Sequence, residues 1–215
     1  MLEEGLYMEK TFMTNVINNY TKDNFLKTKS SVTEFLGWVD KEYKRKDVKI
    51  IIDEILQNEL INLEQFGTIM FQFCSWKRLD DELIFILKRK EFDPSKDNNL
   101  AIRMASKYGR SKIVYILLKD SRIDPTVNNC FTLYSATYFG HLRVVQLLLR
   151  DKRVDPTIGS NAPLRIAIKN NQPKIVNLFL SDRRVKNTIN YGELEKWIIE
   201  AKIPFDIKLK RCIVK

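Results

Sequence analysis

Histidine is almost missing from this 215-residue chain, with His141 the one copy. Cysteine is scarce too: Cys74, Cys130 and Cys212 are scattered and odd in number. A zinc site, a Ser-His-Asp triad or a Cys-His dyad therefore has almost no material to be built from, and neither a metal site nor a disulfide is expected. The seven glycines never fall into a GxGxxG or GxxxxGKS/T pattern, which argues against a phosphate-cradling loop. No apolar run approaches the ~18 residues of a membrane span, and the opening Met1-Leu2-Glu3-Glu4 is acidic and lacks an apolar segment. These absences predict a soluble, intracellular, cytoplasmic, non-enzymatic protein without cofactor or membrane association. Disorder is not expected either, because a hydrophobic content of 44% is ample for one continuous core.

What is present is a repeat. Asp93-Pro94, Asp124-Pro125 and Asp155-Pro156 stand 31 residues apart, as do Ala105, Ala136 and Ala167. The same register aligns Ile102 with Leu133 and Leu164, Gly109 with Gly140 and Asn171, and the triplets 116–118, 147–149 and 178–180. A fixed period of roughly 20–50 residues marks stacked supersecondary units. Within each unit the apolar residues recur at helical spacing, stop at Gly109, Gly140 or Asn171, and resume, which predicts helix, turn, helix. Asn98, Asn129 and Ser160 are expected to N-cap the first helix, with Pro163 at an early helical position. Glycine or asparagine should end that helix in a left-handed C-cap. The small Ala105, Ala136 and Ala167 should let neighbouring helices approach closely, and each Asp-Pro step should turn the chain out of the preceding unit. One such unit is too small to stand alone, so stability is expected to come from stacking, with caps at both ends.

The residues Leu133-Tyr134-Ser135-Ala136, Gly140-His141, Val144-Val145 and Leu147-Leu148-Leu149 resemble the ankyrin repeat. Two departures stand out: the period is 31 rather than the family's usual 33, and the Thr-Pro-Leu-His start of helix one is missing. Short units with Asp-Pro joints look like the ankyrin proteins of amoebae and of the giant viruses that infect them. The resemblance implies an all-α solenoid of stacked helix-turn-helix units with short connecting loops, working as a monomeric protein-interaction scaffold. It also implies a local packing or hydrogen-bonding role for His141.

Stepping back by 31 from the clear units (93–123, 124–154 and 155–185) puts Phe71, Cys74, Leu83 and the triplet 85–87 on core positions, so 62–92 is expected to be a degenerate repeat. Ser31-Val32-Thr33-Glu34 looks like a capping box opening a helix through about Arg45, with Asp47 to Leu56 as its partner. The degenerate region as a whole is thus 31–92. Residues 1–30 are expected to form an N-terminal capping helix. Residues 186–215 are expected to form a C-terminal cap that buries Leu194, Trp197, Ile198 and Ala201.

Charge is unevenly spread along the chain. Residues 1–92 hold 14 Lys/Arg against 16 Asp/Glu, a net −2, and residues 93–215 hold 23 against 11, a net +12. Two rows of residues are candidates for function. One follows the repeated alanine: Trp76-Lys77, Lys107-Tyr108, Tyr138-Phe139 and Lys169-Asn170. In ankyrin repeats these positions look over the concave face, and exposed aromatic and basic residues make interface anchors. The other is Arg122, Arg153 and Arg184 beside Asp120, Asp151 and Asp182, with Lys119 and Arg150 nearby. A structural ion-pair role is the favoured reading of that row, and a basic edge for an acidic partner the alternative. A protein partner on the concave face ranks first, and binding of nucleic acid or another acidic partner by the basic half ranks second. Asp80-Asp81-Glu82 is read as an acidic helix start that complements the helix dipole.

Overall fold

The computed structural model describes residues 29–43, 45–57 and 60–201. Among the described residues the chain is all helical, with twelve helices and no strand. None of these helices is long and apolar enough to cross a membrane. The chain divides into two compact units, Met1–Asp93 and Pro94–Lys215.

The first unit contains α1 (Lys29–Glu42), α2 (Arg45–Gln57), α3 (Leu63–Lys77) and α4 (Asp80–Lys88). They form two helix hairpins stacked in two rows, α1 on α3 and α2 on α4. Ile51, Ile52, Phe71, Leu83 and Ile86 are fully buried between the rows, and Phe92 stacks on Phe71 at 5.5 Å. Asn62 caps α3 by accepting from the Gln65 N–H at 3.0 Å. The capping box expected at Ser31 is not where the helix begins. α1 is already helical at Lys29, because neither Lys29 nor Ser30 is a helix breaker, and it ends at Glu42, so that Arg45 opens α2 instead of closing α1. The capping helix expected over 1–30 lies, except for its last two residues, outside the described residues.

The second unit contains α5 (Lys96–Lys107), α6 (Ser111–Leu118), α7 (Val127–Tyr138), α8 (Leu142–Arg150), α9 (Ile158–Lys169) and α10 (Pro173–Ser181), followed by α11 (Arg183–Thr188) and α12 (Tyr191–Glu200). Here too there are two rows. α5, α7 and α9 pack side by side, as do α6, α8 and α10, and α12 closes the first row against α9. Ala105, Ala136 and Ala167 have no exposed surface, which places the methyl groups in the closest helix contacts of the first row. In each triplet the middle residue, Leu117, Leu148 or Phe179, is buried, just as Ile86 is in the first unit. Among the residues expected to cap the C-terminal end, Leu194 and Ile198 are buried, while Trp197 and Ala201 are half-buried. The short α11, capped by Asp182, enters this region before position 186. What lies beyond 201 is outside the described residues.

Each first helix ends in a left-handed residue, with φ of +70° at Gly109, +76° at Gly140 and +50° at Asn171. Each first helix begins with something the sequence pattern did not suggest. Asp97-Asn98-Asn99, Asn128-Asn129-Cys130 and Gly159-Ser160-Asn161 each form one turn of left-handed backbone, all nine residues with φ between +52° and +61°. Asn98, Asn129 and Ser160 therefore do not act as N-caps. A cap needs extended backbone, and these residues sit in the middle of the left-handed turn. The right-handed stretch starts one residue after the turn, so Pro163 is its second residue and its missing N–H breaks no helical bond. Asparagine, aspartate and glycine are the residues that enter left-handed backbone most readily, which accounts for seven of these nine positions but not for Cys130 or Ser160.

Candidate functional site

The surface of the second unit is set by bonds that cross from one repeat to the next. Arg153 and Arg184 carry the strongest of these. Arg153 grips its own Asp151 with Nε and Nη2 at 2.9 and 2.6 Å. It also donates from Nη1 to the Ile123 carbonyl at 2.7 Å and from Nη2 to the Leu118 carbonyl at 3.0 Å. Arg184 repeats the arrangement on Asp182, Val154 and Leu149, with bonds to the two carbonyls of 2.9 and 2.8 Å. The acceptors, 30 and 35 residues back, are the end of a second helix and the chain leaving it. A planar five-donor fork can meet both carbonyls and a carboxylate at once, which lysine cannot. The hydrogen bond from arginine holds Asp151 and Asp182 below the ordinary carboxylate range. Arg122 makes the same bidentate pair with Asp120. The arginine row is thus built into the stack.

Two further links repeat. Asn99 Oδ1 accepts from the Asp124 N–H at 2.9 Å, and Asn161 Oδ1 accepts from the Thr188 hydroxyl at 3.3 Å. The third residue of the first and last left-handed turns thereby reaches the opening of the following segment, while Cys130, at the same place in the middle turn, is buried. Burial pushes the Cys130 thiol up from its ordinary value. The other link lies at the far end of the first helices. His141 Nε2 lies 2.9 Å from the Lys107 carbonyl, and Gln172 Nε2 donates to the Tyr138 carbonyl at 3.1 Å. His141 is therefore a structural residue, and its ring also explains Gly109. A Cβ there would lie 2.6 Å from His141 Nδ1, so glycine is required by the close approach as well as by the left-handed backbone.

The aromatic and basic row divides according to what holds each side chain. In the first unit Trp76 is 49% exposed, and Lys77 lies over its ring at 4.3 Å while pairing with Asp40. In the second unit Tyr138 is 58% and Phe139 49% exposed at the end of α7. Their rings meet edge to face at 5.1 Å, and Phe139 stacks on His141 at 6.2 Å. Lys107 lies over the half-buried Tyr108, and Lys169 is exposed. Asn170 is only partly available, since its amide donates to the Tyr138 carbonyl at 3.0 Å. The fold therefore keeps Tyr138 and Phe139 exposed on a backbone pinned by two neighbouring side chains.

Asp80, Asp81 and Glu82 fill the first turn of α4, as expected of an acidic helix start, and Glu82 is in addition buried. It is 2% exposed, and Lys49 of α2 bonds both to it and, at 3.0 Å, to Asp53 Oδ2. Burial pushes the Glu82 carboxyl up, and the bond from the Lys49 ammonium works against that rise. Nearby Cys74 is fully buried, which raises its thiol well above its ordinary value. A buried acid can stand here because a cation on the facing helix reaches it. Nothing within one helix could have revealed that pair.

Among the described residues no group of three or more His, Cys, Asp or Glu side chains could hold a metal ion. In comparison with known proteins, the chain matches no family, no curated protein and no solved structure.

Proposed function

We propose that the chain is an ankyrin-type α-solenoid of about four or five short repeats, acting as a non-catalytic scaffold that holds a protein partner on its concave face. Three features support the ankyrin reading: the helix pairs in two rows, the left-handed glycine or asparagine after each first helix, and the 31-residue period of the bonds between units. The observation that carries the functional reading is the exposed pair Tyr138 and Phe139. Large rings with few rotatable bonds, set on rigid backbone, lose little entropy on binding and commonly anchor protein interfaces. In a stack the neighbouring Lys107 and Lys169 flank them, so a partner would meet an aromatic centre with a basic rim.

The test pairs binding with folding. Proteins retained by the immobilised wild-type chain are compared with those retained by Tyr138→Ala/Phe139→Ala, and the affinity of a partner lost from the variant is then measured by calorimetry. Affinity should fall by about 2 kcal/mol or more per ring, while the melting temperature stays nearly unchanged. Unchanged affinity in the folded double variant would mean that the partner sits elsewhere.

A further inference from the structure

The second helices of the second unit break an electrostatic rule three times at the same place. Lys112, Arg143 and Lys174 each stand at the second position of their helix, α6, α8 and α10, and each is exposed. The N-terminal end of a helix carries partial positive charge and favours acids, so a cation in the first turn is held against the field. These three helices contain no acidic residue at all. Lys119 and Arg150, exposed at the other ends of α6 and α8, add two more cations. The nearest carboxylates in sequence, Asp120, Asp151 and Asp182, are already gripped by their own arginines. A local rule broken without local compensation points to a use outside the chain.

Between α6 and α8 this face holds a groove of about 260 Å³, lined by Lys112, Tyr115, Arg143, Gln146, Leu147 and Arg150. We propose that this groove, lined by α6 and α8 and not by the end of α7 that carries Tyr138 and Phe139, docks an acidic helical segment of a protein partner. The spacing of the cations selects the occupant. Lys112 and Lys119, like Arg143 and Arg150, are seven residues apart along a helix, hence about 10 Å. Carboxylates two turns apart on a docked helix repeat at the same interval, so an acidic helix can face both cations of a pair at once. A single-stranded nucleic acid would need successive aromatic platforms. The groove has one aromatic, Tyr115, and Lys119 lies over its ring at 4.3 Å. Leu147 on the groove wall gives the apolar contact that helix-in-groove recognition uses.

The experiment titrates the full chain into three labelled probes and follows fluorescence anisotropy. The first is an alanine-based peptide of about 16 residues with glutamates on one helical face. The second is a scrambled peptide of the same composition, and the third a deoxythymidine oligomer of equal charge. The faced peptide should bind more tightly than the other two. Arg143→Gln/Arg150→Gln should weaken it by about tenfold or more, and the charge-matched pair Lys186→Gln/Lys196→Gln by less than about twofold. Lys112→Gln/Lys174→Gln should weaken it too, while leaving the melting temperature equal or higher, because it removes cations from helix N-termini. The proposal is overturned if the oligonucleotide binds best, if faced and scrambled peptides bind alike, if both charge-matched pairs act equally, or if none of the probes binds. A fall in melting temperature for Lys112→Gln/Lys174→Gln would remove the argument that those cations are held there for a partner.

Discussion

The hairpin α3/α4 of the first unit and the hairpins of the second share one register and solve its demands with different residues. Where the clear repeats end their first helix with Gly109, Gly140 or Asn171, α3 ends with Arg78 at φ +63°. Where α6, α8 and α10 open with a cation, α4 opens with Asp80, Asp81 and Glu82. Where the second unit ties its repeats with Asp–Arg forks at the stack's edge, the first has Glu82 buried against Lys49. What α3/α4 has in common with the clear repeats is the buried set, Phe71, Cys74, Leu83 and Ile86, each with no exposed surface. Caps and surface pairs can drift at a cost of about 1 kcal/mol each, whereas core changes cost several.

That contrast can be broken at its strongest point first. Ala136→Leu should destabilise the second unit by about 3 kcal/mol, since the added carbons must enter a helix contact that has no exposed surface. Thermal unfolding equal to wild type would place Ala136 outside that contact. Next, Gly109→Ala should cost about 2 kcal/mol, combining left-handed strain with displacement of the His141 ring, while Arg78→Gly in the first unit should gain about 1 kcal/mol. Opposite signs at equivalent positions in chemical denaturation are the expected result, and equal signs would dissolve the equivalence.

The arginine forks give the third test. Arg184→Ala should cost about 2 kcal/mol, because its guanidinium bonds two backbone carbonyls as well as Asp182. An exposed ion pair alone would cost under about 1 kcal/mol, and denaturant midpoints distinguish the two. The mildest effect is on pH dependence. Folding depresses Asp151 and Asp182 below their unfolded value near 3.8, so the stability they contribute is present above about pH 4 and lost as pH falls through the depressed values. Asp151→Asn/Asp182→Asn should therefore be less stable than wild type at neutral pH, and the gap should close on acidification when melting temperatures are followed from pH 6 to pH 2.

The helix pairs, their period, the buried alanines and the left-handed ends at 109, 140 and 171 were all legible in the chain itself. Each depends on residues within one or two helical turns, where apolar spacing and the steric freedom of glycine act directly. A local signal for the left-handed openings was present as well. Asp97-Asn98-Asn99, Asn128-Asn129 and Gly159-Ser160-Asn161 repeat at the same period, but the same residue types also serve as N-caps, and composition alone does not choose between the two geometries. The row after the repeated alanine could be found by register, yet register could not rank its members. Tyr138 and Phe139 stay exposed, Lys77 is taken up by Asp40, and Asn170 by a backbone carbonyl.

The sequence by itself determined the repeating unit, because helices, turns and their packing faces are specified by residues close together in the chain. Only the tertiary structure decided that the arginines reach back 30 to 35 residues to bind carbonyls of the preceding repeat. It alone buried Glu82 against Lys49, and it alone brought the cations of α6 and α8 together along one groove. The physical reason is common to all three: a charge is satisfied or left unbalanced by whatever stacking brings beside it, and stacking joins residues that the chain keeps far apart.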